Sequence, residues 1–407
     1  MRGQTLTPRA LQKAFASAAI ALSTFGTPIA SHALFEDPLA GVELKKSGNG
    51  FIPRTADVGV REFLVKDGRE HLRLALPTTS DFSFMSTTRS NGDPARKITD
   101  DLELVRIRLQ QVGNKNKPAW AGCQSDVADI SNLLQKNREL LLSKSSNPGA
   151  AKSILDSKFT PLFTQLAAAV RTEDVQETFR LQAEAADAFS EFNQARLPKG
   201  LPYEIPSEYS SLPRLEGRAE VELVVKKAKG VFKISDTFTT DTVTFVVAVD
   251  GYSHPLSAGN FVDLVKQKHY DGVKFKSEEL IAQTTGTQSA RRIPLELFYK
   301  ADSIPTYGIT ADDEDRALDV QLLPFQAVGA VGLARDVDDV DSASEDFFFL
   351  KWKQGLVPPG RNTIDGNLAC FGYIVSGNED LITQIRGGDS IVSAKVTKGA
   401  ELLVAGK

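Results

Sequence analysis

Four histidines and two cysteines are the residues best suited to nucleophilic, redox or metal chemistry in this chain, and their spacing suits none of it. His32, His71, His254 and His269 are scattered, so neither a zinc site nor a His-centred triad is indicated. Cys123 and Cys370 fall in segments of different pattern, and two isolated thiols are expected rather than a bridge. The acidic runs at 311–319 and 336–341 offer the oxygen ligands that calcium takes. Neither follows the EF-hand spacing, so solvated loops are expected. Gly286 and Gly332 form no phosphate loop, because no G-x-x-x-x-G-K-[ST] pattern occurs. Neither a metal nor a cofactor is therefore expected.

The chain that must position any site is ordinary globular sequence. Its 407 residues suit two or three domains, with 41% hydrophobic and 25% charged residues. A net charge of −4, from 52 acids and 48 bases, argues against a broadly basic nucleic-acid binder. The first 35 residues hold no acid; Arg2, Arg9 and Lys13 precede an apolar, small-residue run from Ala14 to Ala30, then Ser31-His32-Ala33. That order is an export signal, with residues 1–33 removed. Loss of its three cations takes the charge from −4 to −7. The run is too short and too polar for a membrane span of about 20 residues, and no later segment qualifies.

Residues 34–96 read as irregular, with one short helix within Arg61–Leu76 that Gly68 interrupts and Pro77 stops. From 97 to 198 the period is helical. Leu102, Val105 and Leu109, then Val127, Ile130 and Leu134, then Phe159, Leu162 and Leu166, then Phe179, Ala186 and Phe189 mark four amphipathic helices. Short connections make them an antiparallel bundle, and the apolar stripes are its core. Residues 199–218 carry Pro202, Pro206 and Pro213 and read as a linker or strap whose Tyr203 and Tyr209 favour packing. From 219 to 407 the period is two. Strands are expected at 221–225, Thr242–Val249, Ile293–Phe298, Leu318–Leu323, Gly329–Ala334, Asp346–Leu350, Ala369–Val375 and Ile391–Val396, with helices at Ala258–Lys268 and Glu379–Arg386. The expected architecture is a multidomain α + β chain: a helical bundle, then a closed antiparallel barrel with two helices.

Several segments of this second half are similar to a known family. Val249-Asp250-Gly251, Pro255 to Phe261 and Tyr270 to Phe275 resemble the start of a cyclophilin domain. Gly329 to Arg335 resembles its central strand, Ser342 to Phe349 its Ser-Gln-Phe-Phe segment, and Asp365-Gly366 with Phe371-Gly372 its Asp-Gly … Phe-Gly segment. Gly200 to Tyr209, Leu212-Pro213, Gly217-Arg218-Ala219 and Leu72 to Pro77 resemble the large thylakoid-lumen cyclophilins, which pair a helical bundle with a cyclophilin-like barrel. The resemblance implies a thylakoid-lumen address and a role in photosystem II assembly. It also implies partners among proline-containing segments and the lumenal loops of photosystem II core proteins.

A cyclophilin speeds rotation about an X-Pro bond, whose barrier of about 18–20 kcal/mol comes from partial double-bond character. The family uses an apolar groove for the proline ring and an arginine that donates to the prolyl nitrogen. Here the family's Phe-His-Arg reads Phe275-Lys276-Ser277, so Ser277 stands at the arginine position. The Phe-Met-x-Gln segment becomes Leu280, Ile281, Ala282 and Gln283. Phe348 keeps the pocket phenylalanine, while Asp346 replaces a glutamine. Thr363 and Ile364 replace Trp-Leu, and Leu368 replaces the groove histidine. Loss of an oriented donor costs about 10²–10³ in rate. Arg291, Arg292 and Arg335 are cations that could reach in from elsewhere. Weak or absent isomerase activity is expected, with an active isomerase of altered site chemistry as the alternative.

Overall fold

The computed structural model describes residues 45–47, 50–52, 67–77, 93–110, 118–286, 291–317, 319–351, 364–376 and 379–406. The export signal at 1–33 lies outside these, as do most of the irregular segment 34–96, Leu318 and Thr363. The chain divides into two compact units: residues 73–202, and residues 203–406 together with 67–72.

The first unit is helical. Helix α1, Gly68–Leu74, straddles the division. Helices α2 (Pro94–Gln110), α3 (Trp120–Ser143), α4 (Pro148–Ile154), α5 (Thr160–Thr172) and α6 (Val175–Arg196) follow. Their starts are chemically marked. Asp93 accepts from the Ala95 amide at 3.0 Å, Asn147 from Ala150 at 3.2 Å and Asp174 from Glu177 at 3.0 Å. Helices α4 and α5 are one continuous rod joined by a π-turn, Leu155–Phe159. Pro161 follows it, and has no N–H for the carbonyl four residues back, which is where a widened turn relieves the ladder. The core gathers Leu102, Val105, Ile130, Phe159, Phe189 and Phe192. The Phe159 and Phe189 rings stand 4.8 Å apart.

The second unit is a closed eight-stranded barrel. Its strands are β1 (Arg218–Lys226), β2 (Thr242–Asp250), β3 (Lys274–Ser277), β4 (Ile281–Thr285), β5 (Ala330–Leu333), β6 (Phe347–Leu350), β7 (Cys370–Ser376) and β8 (Ser390–Lys398). They run β5-β6-β4-β3-β8-β1-β2-β7 and close on β5, every pair antiparallel. Alternation sets the interior: Val221, Leu223 and Val225 face in opposite Val247, Phe245 and Val243. Helix α7 (Pro255–Lys266) and a 3₁₀ turn, Glu379–Gln384, supply Phe261, Val262, Leu381 and Ile382 to the same core.

Several expectations change. The strand read over Ile293–Phe298 shrinks to Glu296–Leu297, because Pro294 has no amide to give a ladder. The one over Leu318–Leu323 is reduced to a single bridge, Tyr299 to Gln321, before Pro324. Strands β3 and β4 are extra to the period-two reading. Gly68 starts a helix instead of interrupting one: a Cβ there would lie 2.4 Å from the Tyr373 Cβ, so only glycine admits this approach to the barrel. The strap lies on the barrel. The Tyr203 hydroxyl donates to the Tyr252 carbonyl at 2.9 Å, Tyr209 packs 5.2 Å from Tyr307, and Ile205 and Leu212 pack against the core.

Candidate functional site

Register decides which side chains can meet. Lys276 lies opposite Gln283, Gln283 opposite Phe348, and Phe348 opposite Gly332. Directly opposed residues share a face, so these four form one row across β3, β4, β6 and β5. Phe275, Ala282, Phe347 and Phe349 belong to the alternate rows and fill the barrel interior. The row of Gln283 and Phe348 is therefore on the outer face.

Ser277 is not in that row. It pairs with Ala282, two residues from Phe275, and so shares the alternate rows. Its hydroxyl donates to the Ile385 carbonyl at 2.7 Å and accepts from the Lys351 ammonium at 2.9 Å. Lys351 also donates to the carbonyls of Glu278 at 2.8 Å and Ile385 at 3.2 Å. Burial, with Arg386 and Lys227 nearby, brings its ammonium down to about 8. Ser277 and Lys351 thus tie β3 to the segment after the 3₁₀ turn, away from Gln283. The sequence signal for this was present: Ser277 is two residues from an aromatic core residue on a strand, and shares its side.

The ring expected to floor a proline pocket is covered by the chain itself. The Phe325 ring stacks on Phe348 at 5.5 Å and 18°, and both are buried, Phe348 completely. Gly332 makes room for the pair: a Cβ there would lie 2.6 Å from Phe348 Cζ and 2.7 Å from Phe325 Cζ. The Phe325 loop is pinned at both sides. Its amide donates to the Asp365 carboxylate at 2.7 Å, and the Tyr373 hydroxyl donates to the Pro324 carbonyl at 2.7 Å. Ile364 and Leu368 are buried beside Asp365, and Ile281 is buried on β4. Leu280 sits in the β3–β4 turn, where its carbonyl accepts from the Lys351 amide at 2.8 Å. Asp346 ties β6 to the end of β4, accepting from the Gly286 amide at 2.8 Å and the Thr284 hydroxyl at 3.1 Å. Burial nevertheless raises its carboxyl.

Register sets Gln283 beside Phe348, with Ile281 two residues from Gln283 on the same strand, and puts Ser277 in the alternate rows. Ile364 and Leu368 are buried next to Asp365, the residue that holds the Phe325 amide. Thr363 lies outside the described residues. None of the three arginines considered as substitutes is aimed at the Gln283–Phe348 row. Arg291 holds Asn260 at 2.9 Å and Asp263 at 2.7 Å. Arg292 holds Asp339 at 2.6 Å. Arg335 donates to the carbonyls of Asn367 at 2.9 Å and Asp336 at 2.6 Å. The exposed Lys276 is the cation that shares the row. Sequence reasoning missed Phe325 and Lys276 as determinants of this face, and Lys351 as the partner that holds Ser277.

Residues 236–403 match the family model described as cyclophilin type peptidyl-prolyl cis-trans isomerase/CLD. A Synechocystis sp. protein, named as a candidate thylakoid lumen peptidyl-prolyl cis-trans isomerase, is 35% identical over 358 residues. That alignment covers 84% of this chain and 85% of the relative. Two chloroplastic peptidyl-prolyl cis-trans isomerases of Arabidopsis thaliana are also similar. CYP38 is 29% identical, over 83% of this chain and 75% of its own, and CYP37 27%, over 86% and 71%.

Proposed function

This chain belongs to the cyclophilin-type peptidyl-prolyl cis-trans isomerase family, and we propose that it serves mainly as a binding and assembly factor for photosystem II, with weak or no isomerase activity. Its compartment is the thylakoid lumen, where its cyanobacterial relative is placed. One observation carries the reading. The ring that would floor a proline pocket, Phe348, is stacked beneath Phe325 and has no exposed surface. A substrate proline must displace that ring before it can be twisted. Ser277 offers only a hydroxyl, and Arg291, Arg292 and Arg335 are each engaged with other partners. The partners are lumenal loops of photosystem II core proteins and proline-containing segments. Pull-down by the full chain with synthetic lumenal-loop peptides tests this: specific retention of one or more loops is expected, and recovery of none contradicts it.

A second reading has its own observation. Lys276 stands opposite Gln283 on the groove face, so an ammonium could donate where the family uses a guanidinium. Under that reading Lys276→Ala lowers the isomerase rate by about 10²-fold. Under the first reading it leaves an already low rate unchanged.

A further inference from the structure

The helical unit holds a small polar cavity of about 20 Å³, lined by Arg73, Arg96, Arg196, Asp93, Thr99 and Asn193 among others. Two of its three guanidinium groups are matched. Arg73 meets Glu103 at 2.6 Å and Asp187 at 2.8 Å. Arg96 stands 3.6 Å from Asp100 and donates to the Leu74 carbonyl at 3.1 Å. Arg196 is different. It is 1% exposed, its Nε has no hydrogen-bond partner, and its Nη1 reaches Asn193 Oδ1 only at 3.4 Å. The nearest carboxylate, Asp93, is 3.9 Å from Nη2, beyond hydrogen-bond reach. The Asn193 amide nitrogen is already given to the Thr99 hydroxyl at 3.2 Å. A buried guanidinium left this way is strongly disfavoured, and it lines an open space.

We propose that this cavity is a binding site for one small monovalent anion, a carboxylate or a halide, held chiefly by Arg196. Size and charge narrow the class. The space suits one water-sized group, which admits a halide or a carboxylate head and excludes sulfate or phosphate. A water would accept one hydrogen bond from Nε but would leave the charge facing only the long Asp93 pair at 3.9 Å and the Phe192 ring at 5.3 Å, whereas an anion supplies a charge-assisted bond. Burial lowers the Arg196 guanidinium, with Asp93 opposing, as for a cation short of a counter-ion.

The test uses the full chain at fixed ionic strength, with chloride, formate, the amide-capped glutamate N-acetyl-Glu-NH₂, or sulfate exchanged in. Saturable stabilisation by chloride or formate is expected, with Tm rising by about 5 °C at ten times Kd. Sulfate should give no saturable rise. A response to chloride alone assigns a free halide, and a tighter response to formate and N-acetyl-Glu-NH₂ assigns a carboxylate; both support the site. Arg196→Met, which keeps packing on Phe192, should abolish the response. Crystals of the unaltered chain soaked in bromide should show an anomalous peak beside Arg196 Nε, which decides the matter if the variant does not fold. An equal response to sulfate, no saturable response, or no bromide peak there overturns the proposal.

Discussion

By the family resemblance Ser277 stands at the arginine position, and its neighbours are a reason to expect that restoring the arginine would not restore activity. Its side chain shares the alternate rows with Phe275 and is held by Ile385 and Lys351. Ser277→Arg is therefore expected to leave the isomerase rate within about twofold of the unaltered chain, and to destabilise by about 1–3 kcal/mol through overpacking. A large gain in rate would mean that the position faces the groove after all. Resemblance alone identified Gln283 and Phe348, and the structure sets them side by side. What it did not carry is the face of each residue, because motif matching reads order along the chain and not strand alternation. Phe325 was illegible for another reason: it lies in a loop held by Asp365 and Tyr373, contacts 40 or more residues away in sequence.

At the scale of elements, the Phe325 loop acts as a lid fixed in place. Phe325→Ala should cost about 3–5 kcal/mol in denaturant unfolding. It should also uncover Phe348 and raise affinity for a proline-containing peptide by about tenfold. Unchanged peptide binding in a folded variant would remove the loop from the account. The start of helix α7 gives a separate prediction. Pro255 opens that helix, and the next two amides, Leu256 and Ser257, donate to Glu296 at 3.3 Å and 3.0 Å. Burial pushes the Glu296 carboxyl up from 4.5 to about 7, against those amides. The folded chain keeps a proton that the unfolded chain releases, so this contribution is full below pH 4.5 and is lost as pH rises through 7. His254, just before the helix, is held down from 6.5 to about 4 by burial. Its contribution is full above pH 6.5 and is lost as pH falls through 4. The two slopes oppose each other. Relative to the unaltered chain, Glu296→Gln should gain about 3 kcal/mol between pH 4.5 and 7, and His254→Asn should lose about 3 kcal/mol between pH 4 and 6.5. Urea titrations at a series of pH values check both, and differences that stay flat would contradict them. The elements themselves were largely legible: four helical stretches and most strands followed from period and turn chemistry. The exceptions have local causes. Pro294 and Pro324 cut two strands short, and β3 and β4 are brief and half polar, which hides a period of two.

At the scale of the molecule, one core is built from helices and the other from the barrel strands with helix α7 and the 3₁₀ turn, each from its own run of sequence. The composition excluded metal, triad and disulfide scaffolds as expectations before any fold was known, and the barrel explains what remains of the family chemistry. A cyclophilin needs an open apolar pocket and an oriented cation. This barrel keeps the strands and the floor ring, covers that ring with Phe325, and directs its candidate arginines to other partners. The central claim is that the fold has been kept for binding while the catalytic groove has closed. NMR exchange or a protease-coupled assay of the full chain on an X-Pro peptide tests it most directly. The account predicts acceleration of no more than about tenfold over the uncatalysed isomerisation, whereas a rate near that of a fully active cyclophilin would contradict it.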